Sequence, residues 1–198
     1  TARGRFFLWV HYLDPHADYF PPPEYARRFG VDPGAPLAGI AQRPIIRSFR
    51  APENADDLAT LVALYDGEIA FADTHVGRLV DEASRRLRGR LLVVVTADHG
   101  EEFGDHGGLT HGITLWEEQL HVPLIVHGAG VTAGDVVETP VSLVGLWPML
   151  SKLTGAPLPP DHDASPAPLL RDHGSEPAPA LFADLERPDV PQLHHRAV

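Results

Sequence analysis

The sequence predicts an α/β domain built on a largely parallel sheet with helices on both faces, and three observations carry that prediction. Leu91-Leu92-Val93-Val94-Val95 is a run of apolar residues, three of them β-branched, which suits a strand covered on both sides. Before it, Leu58, Leu61, Val62, Tyr65, Ile69, Ala72, Val76, Leu79, Val80, Ala83 and Leu87 recur at steps of three and four, one face of an amphipathic helix. This helix feeds directly into the strand, and Val122-Pro123-Leu124-Ile125-Val126 supplies another strand further on, the alternation of an α/β architecture.

Arg5-Phe6-Phe7-Leu8-Trp9-Val10-His11 reads as an interior strand from Phe6 to His11. Pro15, Pro21, Pro22 and Pro23 then forbid regular structure, so a loop leaves that strand end. A short helix is expected from Pro23-Glu24-Tyr25, whereas residues 31–50 carry no clear pattern. Asn54 is placed to cap the long helix, with Asp56 and Asp57 at its positive end, Arg85, Arg86 and Arg88 at its negative end, and Gly89 as its stop. Gly67 and Gly77 weaken it and predict either a break or a close approach to the sheet. A loop over 103–112 and a helical stretch over 115–119 precede the second apolar strand, and another strand is expected over 136–141. Trp147-Pro148-Met149-Leu150-Ser151-Lys152-Leu153-Thr154-Gly155 has proline in its first turn and glycine just past its end, which predicts a helix. Residues 158–198 read as a Pro-rich, loop-dominated tail with a short strand over 180–185.

The 198 residues suffice for one domain, yet Thr1 is followed almost at once by the interior-type strand, so we expect a piece of a longer chain whose sheet is incomplete at its N-terminus. A net charge of −11, from 27 acidic and 16 basic residues, excludes a nucleic-acid surface, which needs clustered Lys and Arg. The absence of cysteine excludes disulfides and thiolate metal sites within these residues. No run approaches the roughly 18 apolar residues of a membrane helix.

Thr96-Ala97-Asp98-His99-Gly100-Glu101-Glu102 sets a carboxylate and an imidazole side by side where the apolar strand ends. In open α/β sheets the ligand crevice lies beyond the carboxyl ends of the strands. Gly100 permits the turn that lets adjacent oxygen and nitrogen ligands reach one ion; such a pair suits Zn, Mn or Fe, with calcium also admissible when other ligands dominate. Taken alone, the pair reads as a helix-capping Asp and a surface His. Its context reverses that reading, because His11, His16, His106 and His111 fall in the loops around the same crevice. The rest of the 12 histidines, His75, His121, His127, His162, His173, His194 and His195, read as surface or satisfied core groups.

These residues resemble the sulfatase family of the alkaline-phosphatase superfamily. The segment Phe6-Phe7-Leu8-Trp9-Val10-His11-Tyr12-Leu13-Asp14-Pro15-His16, followed by Tyr19 and Pro21-Pro22, is similar to the family's strand and loop. Tyr65-Asp66-Gly67-Glu68-Ile69 with Asp73 and Val76-Gly77 resembles its central helix, and Thr96-Ala97-Asp98-His99-Gly100-Glu101 its metal strand. His111-Gly112, Leu115-Trp116-Glu117-Glu118 and His121-Val122-Pro123-Leu124-Ile125 resemble the segment after it; Ser142-Leu143-Val144 through Pro148 to Leu150 resembles the later helix. The matches run in family order from about residue 5 to 157, which the resemblance makes the C-terminal part of a catalytic domain.

The resemblance implies an alkaline-phosphatase-like fold and roles for particular residues. Asp98 and His99 would be ligands of one divalent metal ion. Sulfatases proper often pair Asp with Asn around calcium, whereas phosphate and phosphonate ester hydrolases of the group pair Asp with His around manganese or zinc. His16 and His111 would be catalytic and contact substrate oxyanion oxygens or the leaving group, with His106 a further substrate contact. His111 stands where many relatives carry lysine. The family's nucleophile, a formylglycine made from Cys or Ser in a Cys/Ser-x-Pro-x-Arg motif or an unmodified Ser or Thr, lies N-terminal to the matched segment. Neither Ser165-Pro166 nor Ser48 has that context, so these 198 residues alone are expected to be inactive. The leading expectation is hydrolysis of sulfuric esters of a small molecule, glycan or lipid. Hydrolysis of phosphoric or phosphonic esters, or transfer of phosphoglycerol or phosphoethanolamine, is the alternative, and a non-catalytic metal-binding module is a third reading.

Overall fold

A computed structural model describes residues 4–128, 130–158, 181, 183–186 and 194–197. The chain falls into two compact units, one formed by residues 1–89 and 99–111, the other by residues 90–98 and 112–198.

The first unit is organised by a long helix. Helix α1 spans Pro23–Arg28, a one-turn helix α2 spans Arg43–Ile46, and α3 runs unbroken from Ala55 to Leu87. The Asn54 side chain caps α3 by accepting from the Asp56 amide at 3.0 Å, and Arg88 ends it in the left-handed conformation at φ 51°. Neither glycine breaks it. A Cβ on Gly67 would lie 3.0 Å from two ring carbons of Pro21, so this glycine admits the preceding loop rather than a sheet; around Gly77 there is open space. Tyr25 of α1 lies against Phe71 of α3 at 5.3 Å between ring centroids and donates to Thr74 at 3.1 Å. Tyr19, Ala26, Val31, Ile46, Leu61, Leu64 and Leu109 form the core. Residues 31–50, for which the sequence offered no pattern, supply short 3-10 turns at Pro36–Ala38 and Ile40–Gln42. The buried Gln42 accepts from the Tyr19 amide at 2.8 Å and donates to the carbonyls of Tyr19 at 2.9 Å and Leu37 at 3.1 Å. A hairpin of β2, Glu102–Phe103, and β3, Leu109–Thr110, completes the unit where a loop was expected.

The expected first strand does not form. Residues 5–13 have no regular secondary structure and no ladder among the described residues, and Phe6, Phe7, Leu8, Trp9 and Val10 are 44% to 77% exposed. β-propensity reflects packing on a neighbouring strand, and here the segment has none to pack on.

In the second unit β1, Leu92–Thr96, pairs with β4, Leu124–Gly128, with Val94 opposite Val126. Gly128 closes the pair at φ 133°; any Cβ there would sit 2.1 Å from the Leu91 carbonyl oxygen. The pairing is antiparallel, as is every ladder among the described residues, and β1 is half-buried rather than covered on both faces. Among the described residues β1 thus has an antiparallel neighbour and not the parallel one expected from the sequence. An apolar run reports affinity for burial, whereas strand direction is set by the connection to a partner far along the chain. The one-turn helix α4, Glu117–Leu120, buries Gln119, which accepts from the Gly112 amide at 3.2 Å and pairs with Thr114. Residues 136–141 form no strand: Val136 is exposed and nothing pairs with the segment among the described residues. Helix α5, Leu146–Thr154, buries Pro148 in its first turn and stops at Gly155, φ 66°, whose amide donates to the Ser151 carbonyl at 2.8 Å. In the tail, β5, Ala183–Glu186, pairs antiparallel with β6, His194–Ala197. Other tail positions, His162 and His173 included, lie outside the described residues.

Candidate active site

Strand β1 delivers the chain to the expected metal pair. Asp98 stands exposed at a bend two residues past Thr96, in the second unit, and His99 opens the segment that returns to the first. His99 is half-buried, and its Nδ1 lies 2.9 Å from the Gly100 carbonyl oxygen. A carbonyl only accepts, so Nδ1 is the donor in this contact. Metal-ligating histidines characteristically show this pattern, with the non-ligating nitrogen donating to a carbonyl or carboxylate. The donor chemistry of Asp98 and His99 therefore fits part of a divalent-metal coordination set. It is not a whole one: among the described residues no group of three or more His, Cys, Asp or Glu side chains is arranged to hold an ion.

Within the first unit three imidazoles meet. The rings of His99 and His111 are tilted by 30° with centroids 3.9 Å apart, and the His16 ring stands edge-on to His111 at 5.1 Å. His16 is exposed, and its Nδ1 lies 2.6 Å from the Ala17 carbonyl oxygen, which leaves Nε2 available. His111 follows Thr110, the last residue of β3, and its Nδ1 lies 2.8 Å from Oε1 of Glu101. All three rings thus have Nδ1 occupied by a fixed oxygen. For His16 and His111 this leaves Nε2 as the nitrogen that a substrate anion would meet.

His106 is not brought into this cluster. It is exposed at the tip of the β2–β3 turn, where its backbone amide donates to Oε1 of Glu102 at 3.2 Å. The turn must adopt this course to satisfy the buried Glu102 carboxylate, which also accepts from the Gly108 amide at 2.9 Å. His11 is exposed in the irregular N-terminal segment. His75 packs against Phe71, and His121 pairs with Glu117 at 3.3 Å, as their surface or core reading anticipated.

Two residues of the site were quoted in the family-like segments without being given a role. Glu101, with a side chain 4% exposed, binds His111 through one oxygen and accepts from the Tyr19 hydroxyl at 3.0 Å through the other. Tyr19 is completely buried, its ring against Tyr65 and Phe103 at 5.5 and 5.8 Å. Burial, then the charge and hydrogen bond of Glu101, push the Tyr19 hydroxyl far above its ordinary range, so it stays a proton donor. Burial and the same charge also raise Tyr65. Glu101 lies two residues past His99, immediately before β2, and its place in the family-like segment is the signal the sequence held.

Behind the His16 loop lies a different carboxyl. Glu68, on α3, is 3% exposed; its Oε1 accepts from the Phe20 amide at 2.6 Å, and its Oε2 has no hydrogen-bond partner among the described residues. Burial pushes its pKa up to about 7, against the lowering effect of the Phe20 amide, and Asp14 adds to the rise.

The comparisons agree with the segments that carry the site. The family profile described as Sulfatase matches residues 1–156, and the chain belongs to the sulfatase family. Arylsulfatase K of Xenopus laevis is 31% identical over 110 residues, covering 55% of this chain and 20% of that protein. The uncharacterized sulfatase YidJ of Escherichia coli strain K12 is 26% identical over 160 residues, 77% of this chain and 32% of that protein. Among solved structures, the phosphonate monoester hydrolase of Silicibacter pomeroyi superposes with a TM-score of 0.59 at 27% identity, over 86% of this chain and 33% of its own. The chain therefore spans a third or less of these relatives. No helix among the described residues is long and apolar enough to cross a membrane.

Proposed function

We propose that the protein to which this chain belongs is a metal-dependent hydrolase of sulfuric esters, with His16 and His111 contacting the substrate and Asp98 and His99 holding the metal. The observation that carries the reading is the packing of His16, His99 and His111 in one cluster, each with Nδ1 against a fixed oxygen. Sulfuryl transfer spreads negative charge over nonbridging oxygens and the departing oxygen, and fixed donors at those positions lower the barrier. His111 with a proton on Nε2 donates to a nonbridging oxygen. His16 with a proton on Nε2 delivers it to the leaving oxygen as the S–O bond breaks. When bound, a divalent ion supplies Lewis-acid stabilisation of the same oxygens. The nucleophile belongs to the part of the relatives that this chain does not span, set against a largely parallel α/β sheet of the whole domain; these 198 residues alone are therefore inactive.

The second reading, a phosphoric or phosphonic ester hydrolase, is favoured by the Asp-His pair and by the similarity to a phosphonate monoester hydrolase. A panel of one aryl sulfate, one aryl phosphate and one aryl phosphonate monoester, assayed with the full-length protein after chelation and after return of Ca, Mn or Zn, separates the two. Highest kcat/KM on the sulfate, abolished by chelation and restored by one metal, is the expected result. Preference for the phosphonate or phosphate transfers the assignment to the second reading, and turnover indifferent to chelation overturns the metal assignment.

A further inference from the structure

We propose that Glu101 is the positioning residue of this site: braced by Tyr19, it fixes the His111 ring so that Nε2 alone faces the substrate. The inference rests on the reading of His111 as a substrate contact and goes beyond it, since Glu101 itself would touch no substrate. Oε2 of Glu101 accepts from the Tyr19 hydroxyl, and Oε1 lies 2.8 Å from Nδ1 of His111, a contact made when that nitrogen donates. The ring flip that would exchange Nδ1 and Nε2 is thereby disfavoured.

The brace is anchored at every joint. The Tyr19 hydroxyl donates to the second oxygen of Glu101 at 3.0 Å, its ring is wedged against Tyr65 and Phe103, and its amide and carbonyl are both held by Gln42. Gln42, Tyr19, Glu101 and His111 thus form a continuous polar chain through the core, in which Gln42 and Tyr19 are fully buried and Glu101 nearly so. A second constraint comes from the backbone. Thr110, β-branched and buried, is held at φ 68°, a region such residues rarely enter, and its hydroxyl accepts from the His111 amide. Strain at the residue that aims His111 is consistent with an orientation fixed for use. Because Tyr19 and His16 share one loop, the brace also ties the loop carrying His16 to the hairpin carrying His111. A flexible ammonium at position 111 would find an anion without such help; a planar imidazole must be held in register, which is why this chain needs Glu101.

The test uses full-length protein and two readouts. In a kinetic cycle, Glu101→Ala should lower kcat about 10- to 100-fold with a smaller change in KM, and add less than about 2-fold in a His111→Ala background. Glu101→Gln, which retains an acceptor oxygen, should recover most of the loss. Equal losses in both backgrounds would assign Glu101 a general structural role and overturn the proposal. Independently of turnover, nitrogen-15 NMR of the histidine rings should show His111 protonated at Nδ1 in the wild type and in Glu101→Gln, with that signature lost in Glu101→Ala. A wild-type signature with Nδ1 bare, or one unchanged in Glu101→Ala, overturns it. If the wild type cleaves no ester, the activity reading fails and the NMR outcome alone decides the positioning. Should Glu101→Ala fail to fold, Tyr19→Phe removes the brace while keeping the carboxylate, and unchanged His111 ring signals there count against the proposal.

Discussion

The β2–β3 corner and the middle of α3 each bury acidic groups, and they treat them differently. At the corner, Glu101 has both oxygens occupied by donors, and Glu102 collects the amides of His106 and Gly108. In α3, Glu68 has one oxygen on the Phe20 amide and the other unmatched among the described residues. A buried carboxyl with one oxygen unmatched is stable in the core chiefly as the neutral acid. The α3 site therefore carries a pH liability, while the corner carries a geometric constraint.

The largest effect that would break this contrast concerns Glu68. The unfolded chain loses this proton near 4.5 and the folded chain at about 7, so between these values the folded state holds the extra proton. Its contribution is intact below 4.5 and is lost as pH rises through 7, by roughly 3 kcal/mol in all. Asp14, Tyr19 and Tyr65 are the titratable groups facing it, and the tyrosines stay protonated throughout that window. Glu68→Gln should flatten the decline in urea-derived stability between pH 4.5 and 8; an unchanged slope would show that Glu68 is ionised in the folded state. Next comes Gly108→Ala. The new Cβ would lie 2.6 Å from the Glu102 carboxylate, so the turn must open and the buried acid lose its amides. A loss of about 1–3 kcal/mol is expected, read as a lower urea midpoint at constant m-value. The smallest is Tyr19→Phe, about 1 kcal/mol, because Glu101 keeps His111 as a partner. A loss as large as that at Gly108 would show that the two oxygens of Glu101 are not independently satisfied.

What the sequence disclosed follows from the range of each interaction. Helix α3 was legible end to end, because its apolar period, the Asn54 cap and the Arg88-Gly89 stop are local. Helix α5 was legible from Pro148 and Gly155 for the same reason. His16, His99 and His111 were singled out through the family motifs, and their meeting in one cluster could not be read from spacing, since they come from a loop, a strand exit and a hairpin. Tyr19 and Glu101 stood within the family-like segments but received no role, because their bond joins positions 82 residues apart. The direction of the β1–β4 pairing and the failure of residues 6–11 and 136–141 to form strands share one cause: strand identity depends on a partner the local sequence does not name.

That leading segment has a practical consequence. Phe6-Phe7-Leu8-Trp9-Val10 is uncharged, rich in β-forming residues, free of proline and glycine, and open to solvent along its length. Runs of this kind recruit identical runs from other chains into intermolecular sheets. Preparations of these 198 residues by themselves should therefore self-associate as concentration rises. A lysine in place of Leu8 would act as a gatekeeper and keep the chain dispersed.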